Sequence, residues 1–356
     1  MSSRPPPSPA RLDFGRIVFA FRLAGGRLSV RLDGRVLILM LALLVLTAAL
    51  AALSLLSGKY PVALSQVFWA LVGQGDDMVR MIVVEWRLPR VALAVLLGAA
   101  LGVSGAIFQS LTRNPLGSPD IIGFSAGSYT GALMVILIFS GGYYETALGA
   151  LAGGIVTAAA VYLLAWRRGV QGFRLIIVGI GVAAMLSAFN AWMIREADLQ
   201  VAMAAAIWGA GSLNGLGVEQ LLPLALMLCV LLPLTLLLSR PMRQLELGED
   251  VARASGVDAG RIRLLLMMLG VALTALVTAS AGPISFIALC APQIARRMTR
   301  SAGVALLPSA LTGGLLLLAA DWAAQHAMGP QLPVGVMTVS IGGLYFLFLL
   351  IREGRK

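Results

Sequence analysis

The chain has 356 residues, and 59% of them are hydrophobic while only 12% are charged. Soluble globular domains carry roughly a quarter charged residues, so this composition excludes a soluble enzyme or binding domain and predicts a protein that spans a membrane. The formal net charge of +11 comes from 27 basic and 16 acidic residues, which must lie mainly outside the apolar runs.

The sequence contains few residues that bind metals. Its two cysteines, Cys229 and Cys290, lie inside apolar runs and form no closely spaced pair, and His326 is the only histidine. A structural zinc, haem or iron–sulfur site needs several such ligands close together. We therefore expect this chain to bind no metal and no cofactor of its own.

A phosphate-binding loop for ATP is also missing. That motif needs a Gly-Lys pair followed by Ser or Thr, with another glycine five residues before the first. Lys59 follows Gly58, but Tyr60 comes next and Leu53 stands at the upstream glycine position. The other lysine, Lys356, is the last residue. The chain therefore cannot hydrolyse ATP by this route, and an ATP-driven function requires a partner that does.

Nine charge-free apolar runs are long enough to cross a bilayer, which takes about 20 residues in a helix. In chain order they are Val36–Gly58, Val91–Thr112, Ile121–Tyr144, Thr146–Trp166, Leu175–Ile194, Gln220–Ser239, Leu264–Ala295, Ser301–Ala320 and Trp322–Ile351. The seventh run has 32 residues and contains Gly282-Pro283, a pair that breaks helices, near its middle. A break there predicts a helical hairpin and ten spans, whereas one long tilted helix gives nine.

The arginines decide between nine and ten spans. Residues 1–35 contain seven arginines, and the carboxyl end contains Arg352, Arg355 and Lys356. Since basic residues accumulate on the cytoplasmic side of membrane proteins, both ends are expected in the cytoplasm, and the number of spans is then even. Ten spans place 22 of the 27 basic residues inside. We therefore predict an all-α polytopic membrane protein with ten transmembrane helices in one domain, residues 36–356.

Residues 1–35 are expected to form a basic cytoplasmic segment. Pro5, Pro6, Pro7 and Pro9 predict that its beginning is disordered. No cleavage-like site separates this segment from the first apolar run, so it is not expected to be a cleaved signal peptide. Residues 14–23 fit either a stretch on the membrane surface or a solvated tail, and we favour the tail.

Small residues recur at helical spacing in three of the runs. The glycines concerned are Gly98 and Gly102 in the second run, Gly123, Gly127 and Gly131 in the third, and Gly149 and Gly153 in the fourth. This spacing lets helix backbones approach closely in lipid. The pattern predicts helix packing and does not by itself indicate a function.

The long segment between the sixth and seventh runs, residues 240–263, has its own pattern. Glu249 and Asp250 begin a short helix with acids at its amino end, where the helix dipole favours them, and Gly256 ends it. Asp258 is placed to cap a second short helix that leads into the seventh run. Two such helices at a membrane face form either a docking surface or a simple hairpin of the bundle, and the pattern leaves both interpretations open.

On the outside, residues 85–90 have the sequence Glu-Trp-Arg-Leu-Pro-Arg and precede the second run. Arginine and tryptophan commonly anchor a helix end at the membrane interface, which is one interpretation of this stretch. The other is that Arg87 and Arg90 offer two cations to an acidic partner. Few other basic residues are expected outside, so these two arginines stand out there.

Several segments together resemble a known family. The matching stretches are Trp86–Arg90, Gly98–Gln109, Arg113–Asp120, Gly282–Ala288 with Ala291-Pro292, and Leu332–Val336. They resemble the FecCD-type permeases of bacterial iron-siderophore and cobalamin importers, which are type II ABC importers, and the likeness runs from residue 36 to the carboxyl end. Phe173–Ile177 and Trp208–Gly215 are similar to the members that carry ferric enterobactin.

The resemblance implies a non-catalytic subunit with ten helices in the bacterial inner membrane. It implies a heterodimer with a second homologous permease subunit and two cytoplasmic ATPase subunits that bind ATP and magnesium. It also implies a periplasmic binding protein that delivers a ferric siderophore. Iron then enters only within the transported siderophore, and the further contacts expected are with membrane lipid and not with nucleic acid.

The resemblance also implies roles for particular residues. Those that couple the subunit to an ATPase are expected to be Glu249, Asp250, Ala252, Arg253 and Gly256, and those that meet acidic residues of the binding protein are Arg87 and Arg90. Two positions depart from the family pattern. Gln293 stands where histidine is usual, and Ser255 stands where leucine often precedes the glycine, which puts the docking of that helix in doubt.

A proton- or sodium-coupled secondary transporter is the main alternative. Such transporters carry ionisable groups inside the bilayer, where these groups are costly and therefore mark function. The candidates here are Asp321, expected at the boundary of two runs, and His326, expected in the last outer loop, so ion coupling is disfavoured. A membrane-embedded enzyme is disfavoured further, because the runs contain no catalytic constellation of serine, histidine or paired carboxylates.

A pathway for a ferric siderophore is expected to contain polar and soft groups. Gln109, Asn190 and Met193 lie within apolar runs and are the candidates for lining it. Asn190 fits equally well as a hydrogen bond between two helices.

Overall fold

The computed structural model describes residues 18–23, 28–166, 172–301, 303–327 and 332–353. In these residues the regular secondary structure is helical apart from two paired strands, β1 (Val18–Leu23) and β2 (Leu28–Asp33). The helices are α1 (Gly34–Leu56), α2 (Leu64–Leu71), α3 (Asp77–Arg80), α4 (Leu88–Thr112), α5 (Phe124–Met134), α6 (Tyr143–Ala165), α7 (Gly172–Glu196), α8 (Leu199–Gly209), α9 (Val218–Leu237), α10 (Ser239–Leu247), α11 (Glu249–Ala254), α12 (Ala259–Ala281), α13 (Ile287–Thr299), α14 (Leu306–His326) and α15 (Val334–Glu353). A π-helical turn, Met81–Arg87, joins α3 to α4, and another, Val135–Phe139, extends α5.

Most of the apolar runs of the sequence correspond to these helices, but the predicted boundary between the eighth and ninth runs falls inside α14. The seventh run divides as predicted, because α12 ends at Ala281 and α13 begins at Ile287. Gly282 has a φ of +73°, a conformation that ends a helix and strains most other residues. The short helices α2 and α8 were not predicted.

Seven stretches in the described part of the chain are long and apolar enough to cross a membrane. They are α1, residues 77–112, α6, α7, α9, α12 and α14, and the apolar windows of α5, α8 and α15 are shorter. The chain is therefore a multi-pass membrane protein. Its helices differ in how much of their surface the rest of the chain covers.

The strand pair lies in the stretch for which a solvated tail was expected. Val18 pairs with Asp33 at one end of an antiparallel ladder. The sequence Leu28–Asp33 alternates apolar and polar residues, a pattern of period two that suits a strand. The Asp33 carboxylate also accepts a hydrogen bond from the Arg35 N–H at 3.0 Å and so caps α1. The strands thus lead directly into the first apolar helix, while residues 5–9 lie outside the described residues.

Helix α4 lies at the centre of the bundle, between α12, α13 and α14. Glycines on α4 lie directly against the backbone of its neighbours, so an added Cβ atom would overlap that backbone. The contacting pairs are Gly98 with Gly313 of α14, Gly102 with Ser309 of α14, and Gly105 with Ala288 of α13. Helices α5 and α6 approach each other in the same way, through Gly131 and Gly149. The predicted use of the small residues in helix packing is confirmed.

One end of the bundle, here called the first end, gathers the beginning of α1 and the ends of α4, α10 and α13. The Arg35 side chain donates to the Met298 carbonyl at 3.1 Å, which ties α1 to the end of α13. Arg113, which follows α4, donates to the Leu245 carbonyl of α10 at 2.8 Å. Helices α11 and α12 follow α10 at this end.

The opposite end gathers the connections after α8 and α12 with the beginning of α15. The Ser212 N–H donates to the Ala281 carbonyl at 2.8 Å, and the Gly335 N–H donates to the Gly211 carbonyl at 3.0 Å. Since α15 begins here and its 20 residues span about 30 Å, it ends toward the first end, where α1 begins. The helices therefore alternate in direction across the bundle.

Replacing Gly105 with valine tests the packing around α4. The new side chain would overlap the Ala288 backbone, so we expect a loss of about 3 kcal/mol or more in the free energy of unfolding. Gly181→Val on α7 is the matched control, because nothing lies within 4 Å of an added Cβ there. The measurement is the thermal unfolding midpoint of each purified variant in detergent. Equal midpoints for the two variants would contradict the close approach.

Candidate functional site

The segment predicted to dock a partner consists of α10, α11 and the first turn of α12. Helix α10 buries Met242 against the bundle. Gly256 has a φ of +80° after α11, which is the left-handed stop that the sequence predicted. Asp258 accepts a hydrogen bond from the Arg261 N–H at 3.1 Å and caps α12. The second short helix expected here is instead the beginning of α12, which continues across the bundle without a break.

Helix α11 has one side against the bundle and one side exposed. Ala252 is fully buried, although the resemblance implied a coupling role for it. The residues Asp250, Val251, Arg253 and Ala254 are exposed. The exposed side of α11 therefore consists of these four residues, and Ala252 fixes the helix to the chain behind it.

Glu249 is held by two arginines. Its Oε2 accepts a hydrogen bond from Arg253, one turn along α11, at 3.3 Å, and its Oε1 accepts one from Arg263 of α12. The Arg263 side chain is 16% exposed, whereas that of Arg253 is 65% exposed. Glu249 therefore fastens the beginning of α11 to a long helix of the bundle.

Arg87 has internal partners at the opposite end. Its Nη1 donates to the Leu55 carbonyl and its Nη2 donates to the Tyr60 carbonyl, both at 2.6 Å. These bonds hold the connection after α1 against the beginning of α4. The guanidinium thus has a structural role at this end of the bundle, and this role is independent of any contact with another protein.

Arg90 forms a two-point ion pair with Asp321 of α14. Its Nη2 lies 2.8 Å from Oδ1 of the carboxylate, and its Nε lies 3.0 Å from Oδ2. The two side chains are 15% and 2% exposed, and Gln325 donates to Oδ2 at 2.7 Å. A buried pair is tolerated when both charges are matched and hydrogen-bonded in this way. The pair links α4 to α14, and the role of Arg90 toward another protein stays a prediction.

Asp321 and His326 do not lie where the sequence placed them. Both belong to α14, so the expected boundary at Asp321 and the expected loop at His326 are wrong. Asp321 is buried within the helix, and His326 ends it with its ring stacked on Trp322, 4.7 Å between ring centres. The prediction failed because Asp321 pairs with a residue 231 positions earlier, so its charge resembled the end of an apolar run.

A second buried carboxylate, Asp120, was not among the predicted site residues. It lies in the connection between α4 and α5 and accepts a hydrogen bond from the Ser125 hydroxyl at 2.6 Å. Its Oδ2 has no hydrogen-bond partner among the described residues. The signal in the sequence is weak, because an acid directly before an apolar run usually marks its solvated end.

The connection that carries Asp120 turns back into the bundle. Gly172 of α7 lies against Thr112, whereas Gly179 lies against Ile122. The two glycines are seven residues apart on α7, which is roughly 10 Å along the helix axis. Ile122 therefore lies about that distance farther along α7 from the first end than Thr112 does. Asp120 therefore lies in a connection that enters the bundle, which the sequence argument about ionisable groups did not anticipate.

Of the three candidates for a substrate pathway, Asn190 and Met193 lie one turn apart on α7, whereas Gln109 lies on α4. The Gln109 amide donates to the Leu289 carbonyl of α13 at 2.9 Å, and the Asn190 amide oxygen accepts from the Thr130 hydroxyl of α5 at 2.8 Å. Met193 is buried in an apolar cluster between α5, α7 and α8. Asn190 thus forms a hydrogen bond between two helices, which was the alternative interpretation of this residue. A pathway role for the three residues stays a prediction.

The two departures from the family pattern are used inside the chain. The Gln293 amide of α13 donates to the Pro115 carbonyl at 2.6 Å and so holds the connection after α4. The Ser255 hydroxyl donates to the Val251 carbonyl at 2.8 Å, which satisfies a carbonyl at the end of α11. Neither side chain disturbs the local fold.

The alternating helices, the central glycine contacts and the short helices at the first end define a multi-pass membrane permease. The chain belongs to the FecCD transport family, whose profile matches residues 43–352.

Relatives with this fold are known. The chain is 53% identical over 322 residues to the ferric enterobactin transport system permease protein FepG of Escherichia coli (strain K12). The aligned region covers 90% of this chain and 98% of that protein. It is 38% identical over 323 residues to the Fe(3+)-citrate import system permease protein YfmE of Bacillus subtilis (strain 168), with 89% and 96% covered. A solved metal-chelate type ABC transporter in an inward-facing conformation matches with a TM-score of 0.77 and 27% identity, over 89% of this chain and 99% of that one.

Breaking the buried ion pair tests its role as an internal link. Asp321→Asn leaves Arg90 without a counter-charge, so we expect the free energy of unfolding to fall by about 3–5 kcal/mol. The double change Arg90→Met with Asp321→Leu removes both charges and should recover most of that loss. Thermal unfolding of the purified variants measures the effect. If Asp321→Asn is as stable as the unchanged protein, the pair does not hold α4 and α14 together.

Proposed function

We propose that this chain is the permease subunit of an ATP-binding cassette importer that carries a ferric siderophore across the bacterial inner membrane, with ferric enterobactin as the substrate. The observation that carries the proposal is the 53% identity to a ferric enterobactin permease over 90% of this chain. The segment α10–α12 supports it, because it supplies a surface for a partner that hydrolyses ATP. The chain has no phosphate-binding loop of its own.

The proposed arrangement has ten membrane helices and both termini in the cytoplasm. The spans are α1, α4, α5, α6, α7, α9, α12, α13, α14 and α15. Two observations favour it: α1 begins and α15 ends at the same end of the bundle, and 22 of the 27 basic residues then lie inside. The first end is the cytoplasmic end, so residues 1–35 and the exposed side of α11 lie in the cytoplasm.

The proposed assembly contains a second homologous permease subunit, two cytoplasmic ATPase subunits and a periplasmic siderophore-binding protein. ATP and magnesium bind to the ATPase subunits, and iron passes through only within the siderophore. The exposed residues of α11 contact the ATPase, and Gly256 sets the direction in which α11 leaves the bundle. Glu249 holds α11 in place for that contact.

The opposite end of the bundle then faces the periplasm, where we propose that Arg87 and Arg90 meet acidic residues of the binding protein. Arg90 already has a carboxylate partner, so such a contact must share or replace Asp321. Arg87 is bound by neutral carbonyl groups and has no acidic partner among the described residues. It is the better of the two for attracting an acidic protein.

ATP dependence tests the proposed function against the alternative, an ion-coupled transporter, which the buried Asp120 favours. The complete complex is placed in liposomes with ferric enterobactin and the binding protein outside. We expect uptake only when ATP and magnesium are present on the ATPase side, and no loss of uptake when an ionophore abolishes the ion gradients. Uptake without ATP that stops with the ionophore would favour the alternative.

Labelling of introduced cysteines tests the proposed orientation. In a variant with Cys229 and Cys290 replaced by serine, a cysteine at Asp250 should react with a membrane-impermeant reagent only after the cells are opened. A cysteine at Glu219, near the opposite end, should react in intact spheroplasts. Labelling of the Asp250 position from outside would rule out the ten-span arrangement.

Replacing Gly256 with valine tests the coupling role of α11. Valine in the left-handed conformation is strained by roughly 1 kcal/mol or more, and nothing lies within 4 Å of the added Cβ, so the change acts through the backbone alone. We expect an assembled complex that hydrolyses ATP but has lost siderophore uptake and stimulation by the loaded binding protein. Gly260→Ala in α12 is the control. Unchanged uptake in Gly256→Val, at equal membrane levels, would place the coupling surface elsewhere.

A further inference from the structure

We propose that Arg263 is the positioning residue that passes movement of α11 into α12, through its ion pair with Glu249. The proposal rests on the proposed function, because it takes α11 as the segment that contacts the ATPase. It assigns a role to a residue of the membrane helix itself, which is not among the residues for which the family resemblance implies a coupling role.

Helix α11 is joined to its chain neighbours by two glycines with positive φ. Gly248 before it has a φ of +130°, and Gly256 after it has a φ of +80°. Glycine is the residue with the widest backbone freedom, so these two positions allow α11 to tilt as a unit. A tilting helix transmits movement only where side chains fasten it to something longer. Glu249, its first residue, provides such a fastening by bonding to Arg263 of α12.

The three arginines near α11 differ in burial. Arg263 is 16% exposed, whereas Arg253 is 65% and Arg261 is 86% exposed. Exposed ion pairs are screened by water and salt and contribute little, while a pair in which one partner is largely buried, as Arg263 is here, is screened less. Arg253 also pairs within α11 itself, and Arg261 pairs with Asp258 at the cap of its own helix. Of these three pairs, the one made by Arg263 joins two elements.

Helix α12 carries the movement across the membrane. It runs unbroken for 23 residues, about 34 Å, from the first end to Ala281. There the Ala281 carbonyl accepts the hydrogen bond from the Ser212 N–H at 2.8 Å, so the connection after α8 follows α12. A displacement of Glu249 at the cytoplasmic end therefore reaches the backbone at the periplasmic end through one rigid helix.

The test uses the complete complex in liposomes with ferric enterobactin, the binding protein and ATP. For Arg263→Gln we expect the amount of siderophore taken up per ATP hydrolysed to fall roughly tenfold, within the usual range of coupling between two sites, while the complex still assembles and hydrolyses ATP. Arg261→Gln is the matched control and should keep the ratio of the unchanged complex. It alters the same residue type two positions away, in an exposed pair.

A double-mutant cycle separates coupling from a general structural effect. Glu249→Gln and Arg263→Gln should each lower uptake per ATP, and the double variant should be no worse than Glu249→Gln alone, which already removes the pair with Arg263. As the control, Arg261→Gln should change nothing, so combining it with Glu249→Gln should give the effect of Glu249→Gln alone. If Arg263→Gln fails to assemble, Glu249→Gln decides, since it removes the pair from the more exposed side. An unchanged ratio in the assembled variants, or additive effects in the first cycle, overturns the proposal.

The result is distinguishable from a failure of the proposed function. If Gly256→Val uncouples the complex and Arg263→Gln does not, α11 contacts the ATPase and movement passes by another route. If the unchanged complex takes up ferric enterobactin without ATP, the proposed function itself is wrong.

Discussion

The close approach of backbones around α4 is the constraint on which the rest of the structure depends. Lipid does not drive apolar helices together as water does, so packing contacts and interhelical hydrogen bonds must do so. The glycines of α4 let α13 and α14 come within contact of its backbone, and polar side chains then fix the register. Ser104 donates to the Gly270 carbonyl of α12 at 2.8 Å, Gln109 bonds α13, and Arg90 bonds α14. Each of the helices α12, α13 and α14 is thus held to α4 by at least one polar contact as well as by its fit.

Non-helical backbone inside such a bundle needs partners, because water does not reach it. The break after α12 meets this requirement through the connections that surround it, since the Ala281 carbonyl is bonded by Ser212 and Gly211 lies against Pro283. Phe286, at the end of the break, has a φ of +70°, which is uncommon for a residue with a side chain. The break therefore holds its shape through its neighbours and not through its own preferences.

Most of the helices, the break at Gly282 and the stop at Gly256 could be predicted, because each depends on local sequence: apolar run length, a helix-breaking pair, a glycine after a short helix. The Arg90–Asp321 pair could not, since neither charge reveals its partner across 231 positions. Asp321 was therefore read as a helix end, and Arg90 as a free cation. The candidate coupling segment could be predicted in part. The local pattern predicted the acidic start of α11 and its end at Gly256, but it did not predict that Arg263 of α12 holds the helix.

The kinds of contact that the helices make with α4 indicate which of them can move. In the stretch Asp77–Thr112, 78% of the apolar window is buried, against 61% for α12, 56% for α14 and 11% for α7. Burial alone does not separate α12 from α14, but their contacts with α4 do. Helix α14 is locked to α4 by glycine contacts on both sides and by a buried ion pair, whereas α12 meets α4 through hydroxyl groups, with Ser104 within 2.7 Å of Thr274 as well as bonded to Gly270. A hydroxyl can exchange one acceptor for another over a small shift, but interlocked backbones cannot slide without separating. Force applied at the first end is therefore expected to move α12 against a fixed pair of α4 and α14.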